Sequence, residues 1–232
     1  MTPYEQERRR IIEKIWTLMD VHKGKSVLDV GVGHLAYSLT KLKELGITVT
    51  AIDLNLDALR KHKTTDARFV RCNAAWLPFR NSTFDLAIAN FTVHEIDPSL
   101  HRKVFLELCR VTQRVMVVEP APGGDRSYRS YQQIWTDAMH STGQFEDCAT
   151  IEHWSQLMRN CGARITLSQA FSFRERLIGQ EATDYMKSAT EIMEEEGVSP
   201  EYIRELQKFK TEVETKGMVF SDINVIVGQS NP

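Results

Sequence analysis

Short apolar runs alternate along this chain with segments whose apolar positions recur at helical spacing. The predicted strands cover residues 27–30, 48–53, 67–72, 84–90, 114–119, 164–173 and 218–228. The predicted helices between the first five of them cover residues 35–45, 56–62 and 98–111. Strands that alternate with helices in this way predict an α/β fold with a doubly wound, mostly parallel sheet.

The first 22 residues predict a helix that precedes the sheet. Thr2 and Glu5 have the spacing of a capping box, and Pro3 occupies the first helical position. Residues 1–22 are therefore interpreted as an N-terminal helix of a single domain that spans residues 1–232.

Two long segments lie outside the alternating pattern. Residues 120–150 and 175–216 are long connections between predicted strands. Connections of this length in a compact domain usually carry function. We expect both to be cap or lid insertions. The second contains two helices separated at residues 197–200 and is equally consistent with a dimer contact, so a homodimer is an open expectation.

The strand at 27–30 ends in a turn with the sequence Gly31-x-Gly33, two residues after Asp29. Glycines at such a strand-to-helix turn allow the backbone to approach a ligand closely. Asp29 would repel a diphosphate but attract a cationic amino group. The turn therefore favours an amino-acid nucleoside over a dinucleotide.

Asp53 ends the second strand about 20 residues beyond the glycines. A carboxylate at that position typically accepts hydrogen bonds from ribose hydroxyls. The third and fourth strands are followed by Asn73-Ala-Ala-Trp-Leu-Pro-Phe79 and by Phe91-Thr-Val-His94-Glu95.

Taken in order, these four motifs resemble class I S-adenosylmethionine-dependent methyltransferases, most closely the small-molecule branch. The resemblance covers residues 26–119 motif by motif. It implies a Rossmann-like sheet of seven strands, mostly parallel with the last strand antiparallel, helices on both faces and a helical cap. It also implies S-adenosyl-L-methionine as the cofactor and transfer of its methyl group to an O, N or S nucleophile of a small molecule by in-line displacement.

The same resemblance assigns the cofactor-binding residues. It implies that Asp29, Gly31 and Gly33 bind the methionine part and that Asp53 and Leu54 bind the ribose. It also implies that Asn73 and Ala74 border the adenine and that Asn90 and Phe91 lie beside the methyl group. Two positions depart from the family pattern. Leu35 replaces a usual glycine, and Asn73 replaces a usual aspartate but still offers a carbonyl acceptor to the adenine amino group.

The segment 120–150 carries the candidate substrate residues. On a helix, Tyr128, Tyr131 and Trp135 share one face, and Arg129 flanks it. This aromatic face would either wall the acceptor site or pack into a core. An arginine beside it could bind a carboxylate or phosphate on the acceptor.

A catalytic base is needed only if the nucleophile arrives protonated. The candidates are His94, one helical turn after Asn90, and His140 in the aromatic segment. Glu95 and Asp97 are alternatives to which a helix-capping role also applies.

Composition and charge limit the partners and the cellular compartment that are expected. A net charge of −2 argues against nucleic acid as the main partner, and no segment has the pattern of a signal peptide or membrane span, so a cytoplasmic enzyme is expected. The four cysteines contain no C-x-x-C pair, and we predict no metal site from their spacing.

Two other classes of function stay open from the sequence alone. An NAD-dependent oxidoreductase is disfavoured by Asp29 and by the absence of a Tyr-x-x-x-Lys arrangement. A protein-modifying or non-catalytic methyltransferase relative would keep the cofactor half while the cap docks a partner.

Overall fold

The computed structural model describes residues 1–22, 24–33, 36–62 and 66–230. Its strands are β1 (Ser26–Val30), β2 (Thr48–Asp53), β3 (Arg68–Arg71), β4 (Leu86–Asn90), β5 (Arg114–Pro120), β6 (Ala163–Phe171) and β7 (Ile223–Ser230). Its α-helices are α1 (Pro3–Thr17), α2 (Tyr37–Glu44), α3 (Leu56–Lys61), α4 (His101–Val111), α5 (Arg126–Ser141), α6 (Ile151–Asn160), α7 (Gln180–Glu195) and α8 (Pro200–Lys216). Short 3₁₀ turns cover Val93–Glu95 and Pro98–Leu100.

The seven strands form one sheet in the order β3-β2-β1-β4-β5-β7-β6. β7 is antiparallel to both of its neighbours, and the remaining pairs are parallel. The predicted doubly wound sheet with an antiparallel last strand is therefore confirmed. The strand order reverses between β1 and β4, and in such sheets ligands bind beyond the carboxyl ends of the strands at that point.

Both faces of the sheet are covered, because successive residues of each strand enter different cores. Val27 packs with Ile15 of α1 and Leu39 of α2 on one face. Its neighbour Leu28 packs with Phe105 of α4 on the other face. This double burial explains why the neighbouring residues Val27 and Leu28 of β1 are both apolar.

The two predicted insertions pack together as one helical cap. Their helices α5, α7 and α8 share a third hydrophobic cluster, which includes Tyr131, Met186 and Leu206. No helix in the described ranges combines the length and the apolar run that a membrane span requires.

Several predicted boundaries are confirmed locally. Thr2 and Glu5 form the expected capping box of α1, and Ser199 caps α8 ahead of Pro200. The helix predicted at 98–111 begins as a 3₁₀ turn capped by Asp97. The predicted start of the 35–45 helix at Leu35 lies outside the described residues.

The start predicted for the last strand at Met218 is wrong. Met218 instead forms a separate bridge with Leu177, and its side chain is buried in the core of the cap. An apolar residue of the cap and an apolar residue of the sheet give the same local pattern, so β7 begins only at Ile223.

Candidate active site

The glycine turn after β1 uses its two glycines differently. Both have positive φ angles, 73° at Gly31 and 57° at Gly33. A Cβ on Gly31 would lie 2.3 Å from Cγ2 of Thr92, whereas a Cβ on Gly33 would meet no described atom within 4 Å. Gly31 therefore allows two segments of the protein to pack, whereas none of the described residues fills the space beside Gly33.

Asp53 joins this turn to the end of β2. Its Oδ2 accepts a 3.0 Å hydrogen bond from the Gly33 N–H, and its Oδ1 accepts a 2.7 Å bond from the Asn55 N–H. Asn55 caps α3. The predicted ribose-binding carboxylate is thus already oriented by backbone donors on both sides.

Asp29 is a buried acid without a matched partner. It is 0% exposed, and neither carboxyl oxygen has a hydrogen-bond partner among the described residues. Burial raises the pKa of Asp29 to about 7, the Ser38 side chain opposes that rise, and the charge of Asp53 adds to it. An uncompensated acid at the carboxyl end of β1 suits a cationic ligand group.

Apolar side chains are exposed beside these acids. Leu54 and Phe91 follow β2 and β4 and expose 58% and 38% of their surfaces. Phe91 has a φ of 52°, and its N–H donates a 2.7 Å hydrogen bond to the Val118 carbonyl. Its backbone strain at the end of β4, beside Asn90, is typical of a ligand site.

Asn73 and Ala74 form the turn after β3. The Asn73 side-chain carbonyl accepts a 2.8 Å hydrogen bond from the Ala75 N–H, so one of its two acceptor positions is used within the turn. Ala74 is buried. The expected contact with an adenine amino group would have to use the remaining position.

His94 lies in the 3₁₀ turn after β4 and is held by Glu119 at the end of β5. Its Nδ1 lies 2.5 Å from Oε2 of Glu119. Glu119 is fully buried and also accepts hydrogen bonds from the Thr92 and Val93 N–H groups at 3.0 and 2.7 Å. These donors satisfy a carboxylate that would otherwise be costly to bury, and the carboxylate fixes the imidazole ring.

Two further acids surround His94. Its Nε2 lies 3.7 Å from a carboxylate oxygen of Glu146 and 3.9 Å from one of Glu95. Burial alone would lower the pKa of His94, but Glu119, by charge and hydrogen bond, with Glu146 and Glu95, raises it to about 9. At neutral pH the ring is therefore protonated, which does not suit an unassisted general base.

The pKa values of Glu95 and Glu146 are also raised in this pocket. Burial raises the pKa of Glu95 to about 7, His94 opposes the rise, and Glu146 adds to it, although the Glu95 side chain is 59% exposed. Burial also raises the pKa of Glu146, while His94 and a hydrogen bond from the Trp135 side chain favour its charged form. The pocket around His94 thus carries an excess of negative charge.

The aromatic face of α5 lies mainly inside the cap. Tyr128 and Tyr131 are 8% and 6% exposed and pack with residues of α7 and α8. Burial raises the pKa of Tyr128 to about 12. Trp135 is half-buried and is the residue of this face that reaches Glu146. Through Glu146, Trp135 links the predicted substrate wall to His94.

Arg129 and His140 occupy other positions on α5. The guanidinium of Arg129 donates a 2.6 Å hydrogen bond to the Gly124 carbonyl, just before the helix. His140 Nε2 lies 3.5 Å from a carboxylate oxygen of Asp147, and both side chains are about 40% exposed. Neither shares the fixed geometry of His94.

Sequence reasoning missed Glu119 and Glu146. Glu119 had a usable signal, because it ends an apolar strand as Asp29 and Asp53 do. Glu146 had none. It lies in the irregular segment between α5 and α6, which is held beside His94 by a 2.9 Å bond from the Asp147 N–H to the His94 carbonyl.

Comparison with known proteins relates part of this chain to methyltransferases. Residues 28–115 match the methyltransferase domain family. This domain match, together with the methyltransferase relatives, supports a class I S-adenosylmethionine-dependent methyltransferase rather than the oxidoreductase alternative.

Similar proteins agree with that assignment. A malonyl-[acyl-carrier protein] O-methyltransferase of Pectobacterium atrosepticum is 31% identical over 153 residues, 64% of this chain and 59% of that protein. A demethylmenaquinone methyltransferase of Paenarthrobacter aurescens is 32% identical over 107 residues, 44% of this chain and 41% of that protein. This chain thus spans about half the length of the curated relatives it matches.

The likeness to solved structures extends over the whole chain. An S-adenosylmethionine-dependent methyltransferase from Methanosarcina mazei superposes with a TM-score of 0.62 at 17% identity, over 100% of this chain and 99% of that one. At this identity the likeness establishes the fold alone.

Proposed function

We propose that this chain transfers the methyl group of S-adenosyl-L-methionine to a nucleophilic O, N or S atom of a small molecule by in-line displacement. The observation that carries the proposal is the convergence of Asp29, Gly33 and Asp53 at the carboxyl ends of β1 and β2, within a methyltransferase domain.

The residues at this edge fit the proposed cofactor. The two carboxyl oxygens of Asp29 have no hydrogen-bond partner among the described residues, and a cationic or hydrogen-bonding group would stabilise them. An amino-acid nucleoside carries such a group, its ammonium. No described residue fills the space beside Gly33, which leaves room there for a ligand. A diphosphate would bring negative charge towards two acids and fits less well.

We assign each part of the cofactor to residues of this edge. Asp29, Gly31 and Gly33 would hold the methionine part, and Asp53 with Leu54 the ribose. Asn73 and Ala74 would border the adenine, and Asn90 with Phe91 would lie beside the methyl group. The exposed apolar surfaces of Leu54 and Phe91 support this, since each would be covered by a bound nucleoside.

When bound, the cofactor supplies a methyl group on a sulfonium centre. The chain's own contribution is alignment, because holding two reactants in the reacting geometry lowers the activation barrier by about 7–11 kcal/mol. Phe91, held by the Val118 carbonyl, and Asp53, held by two backbone donors, are rigid parts of the surface that would provide it.

We place the acceptor between the end of β4 and α5. His94 and Trp135 would contact it, with Tyr131 and Tyr128 behind Trp135 as the packed support of this wall. Arg129 would reach an acidic acceptor only after releasing the Gly124 carbonyl, and His140 lies nearer the surface. The names of the two curated relatives, which act on a carrier-bound malonyl group and on demethylmenaquinone, support a small-molecule acceptor.

The test is ligand-induced stabilisation followed by methyl transfer. At a hundredfold its dissociation constant, S-adenosyl-L-methionine or its demethylated product should add about 2.7 kcal/mol, which raises the melting temperature by roughly 5–10 °C. NAD at the same concentration serves as the control. Transfer from methyl-labelled cofactor to a panel of hydroxyl, amine and thiol acceptors then identifies the nucleophile. A shift with NAD alone would refute the proposal, and binding without transfer to any acceptor would favour a non-catalytic relative.

A further inference from the structure

A mixed cluster of nitrogen and oxygen ligands includes two residues of the 3₁₀ turn that follows β4. One ligand atom each from His94, Glu95 and Glu146 lies within 4.8 Å of the others. The cluster begins four residues after Asn90, and its three members come from the 3₁₀ turn after β4 and from the segment between α5 and α6.

The imidazole of His94 is held in one orientation, with Nε2 towards the two other members of the cluster. Its Nδ1 is bound by the buried Glu119, so Nε2 faces Glu95 and Glu146. The side chain is only 7% exposed, and Nε2 forms no hydrogen bond to a described residue. The ring is thus fixed through Nδ1, and its Nε2 faces two carboxylates at ion-pair distance.

The distances fit an ion shared between the side chains. Separations of 3.7 and 3.9 Å from Nε2 to the two carboxylates are too long for hydrogen bonds. Two bonds of about 2.1 Å to a common metal ion span such separations. Glu119 also stands where metal-binding histidines usually have their supporting carboxylate, on the other ring nitrogen.

We propose that His94, Glu95 and Glu146 bind a divalent transition-metal cation, with Glu119 and Trp135 as positioning residues. One nitrogen with two carboxylate oxygens suits Mn²⁺, Fe²⁺ or Zn²⁺ better than Mg²⁺ or Cu⁺. Three protein ligands leave coordination positions open. The spacing of the cysteines could not indicate this site, because no cysteine belongs to it.

A cation at this place could also bind an oxygen of the acceptor and favour its deprotonated form. That use rests on the proposed function. Cation binding itself does not, because it can be measured without cofactor or acceptor, so the two proposals fail independently.

The experiment titrates Mn²⁺ into chelator-treated protein and follows free Mn²⁺ by electron paramagnetic resonance. We expect one Mn²⁺ per chain, displaced by Zn²⁺. Glu95→Gln, at an exposed side chain that folding does not need, should weaken binding about tenfold or more, as should Glu146→Gln. The matched control is Glu205→Gln on the exposed face of α8, which should bind as the parent does.

A spectroscopic readout separates coordination from a general loss of negative charge. Spin-echo spectra of bound Mn²⁺ should show coupling to an imidazole nitrogen, and His94→Gln should abolish it. Trp135→Phe, which removes the hydrogen bond to Glu146, should weaken binding while leaving that coupling in place. No binding of Mn²⁺ or Zn²⁺, or binding that neither glutamate variant weakens, would overturn the proposal.

Discussion

The backbone N–H of Gly33 donates a 3.0 Å hydrogen bond to the carboxylate of Asp53, across the two neighbouring strands β1 and β2. The second oxygen of the same carboxylate accepts from the Asn55 N–H. One side chain therefore orients the turns after both strands. Its role is wider than the ribose contact that the resemblance implies, because it also fixes the shape of the glycine turn.

Replacing Asp53 should weaken cofactor binding without unfolding the protein. Asp53→Ala removes a charged acceptor at a half-buried strand end, and we expect a loss of about 1.5–3 kcal/mol in binding, roughly ten- to a hundredfold in Kd. Isothermal titration with S-adenosylhomocysteine measures it. Asp53→Asn keeps a carbonyl for Gly33 and should lose less. Asp57→Ala, at an acid 82% exposed, is the control. An unchanged Kd in Asp53→Ala would remove Asp53 from the site.

The two glycines of the turn should respond in opposite ways to alanine. Gly31→Ala places a methyl group against Thr92, whose buried hydroxyl is held by the Val30 carbonyl, and we expect a loss of stability of at least about 2 kcal/mol. A methyl group on Gly33 meets no described atom within 4 Å, so among the described residues backbone strain of about 1–2 kcal/mol is what opposes Gly33→Ala. Its methyl group would instead enter the proposed ligand space.

Thermal unfolding and S-adenosylhomocysteine titration of both variants provide the comparison. Gly31→Ala should have a lower melting temperature than Gly33→Ala. Relative to its loss of stability, Gly33→Ala should lose more affinity for S-adenosylhomocysteine than Gly31→Ala. If Gly33→Ala binds as tightly as the parent, the ligand does not approach the turn at that residue.

The sheet and the cofactor edge could be predicted because their signals are local. A strand that ends in an acid, a glycine turn and a helix cap each involve a few adjacent residues, and the carboxyl ends of parallel strands meet at one edge. Glu119 follows the same rule and was available to the same reasoning.

The pocket around His94 could not be predicted in full because its geometry depends on distant contacts. Glu146 reaches His94 only because residues 143–150 dock on the 3₁₀ turn and on Asn224 of β7. Helical spacing likewise showed that Tyr128, Tyr131 and Trp135 share a face, but it carries no information on what covers that face. Those facts belong to tertiary packing.

Asp29 should make stability depend on pH with an unusual sign. Its pKa is raised from an ordinary 3.8 to about 7 in the fold, so the folded state binds more protons than the unfolded state between these values. Stability from this group is therefore lost as pH rises from about 4 to 7, by up to about 4 kcal/mol at 1.36 kcal/mol per pKa unit. The groups that act on it are Ser38, which opposes the shift, and Asp53, which adds to it.

Asp29→Asn should remove that dependence. The amide carries no charge, so the variant should be more stable than the parent at pH 8 and about equally stable at pH 4, while binding S-adenosyl-L-methionine more weakly. Urea unfolding at the two pH values measures the difference. A variant that is destabilised equally at both would mean that the carboxylate has a partner in the folded protein and is not a buried, uncompensated acid.

The cap offers a test of what its aromatic face does. Tyr131 is 6% exposed and packs against Tyr185 of α7, so Tyr131→Ala should cost about 3–5 kcal/mol of stability, as removal of a buried aromatic side chain does. Trp135→Phe keeps most of the packing of a half-buried residue and should cost less than about 1.5 kcal/mol. Urea unfolding with and without S-adenosylhomocysteine measures both, and neither variant should change cofactor affinity per folded molecule. If Tyr131→Ala were nearly neutral, the cap would not be closed around this residue in solution, and Tyr131 would belong with Trp135 to an open acceptor wall.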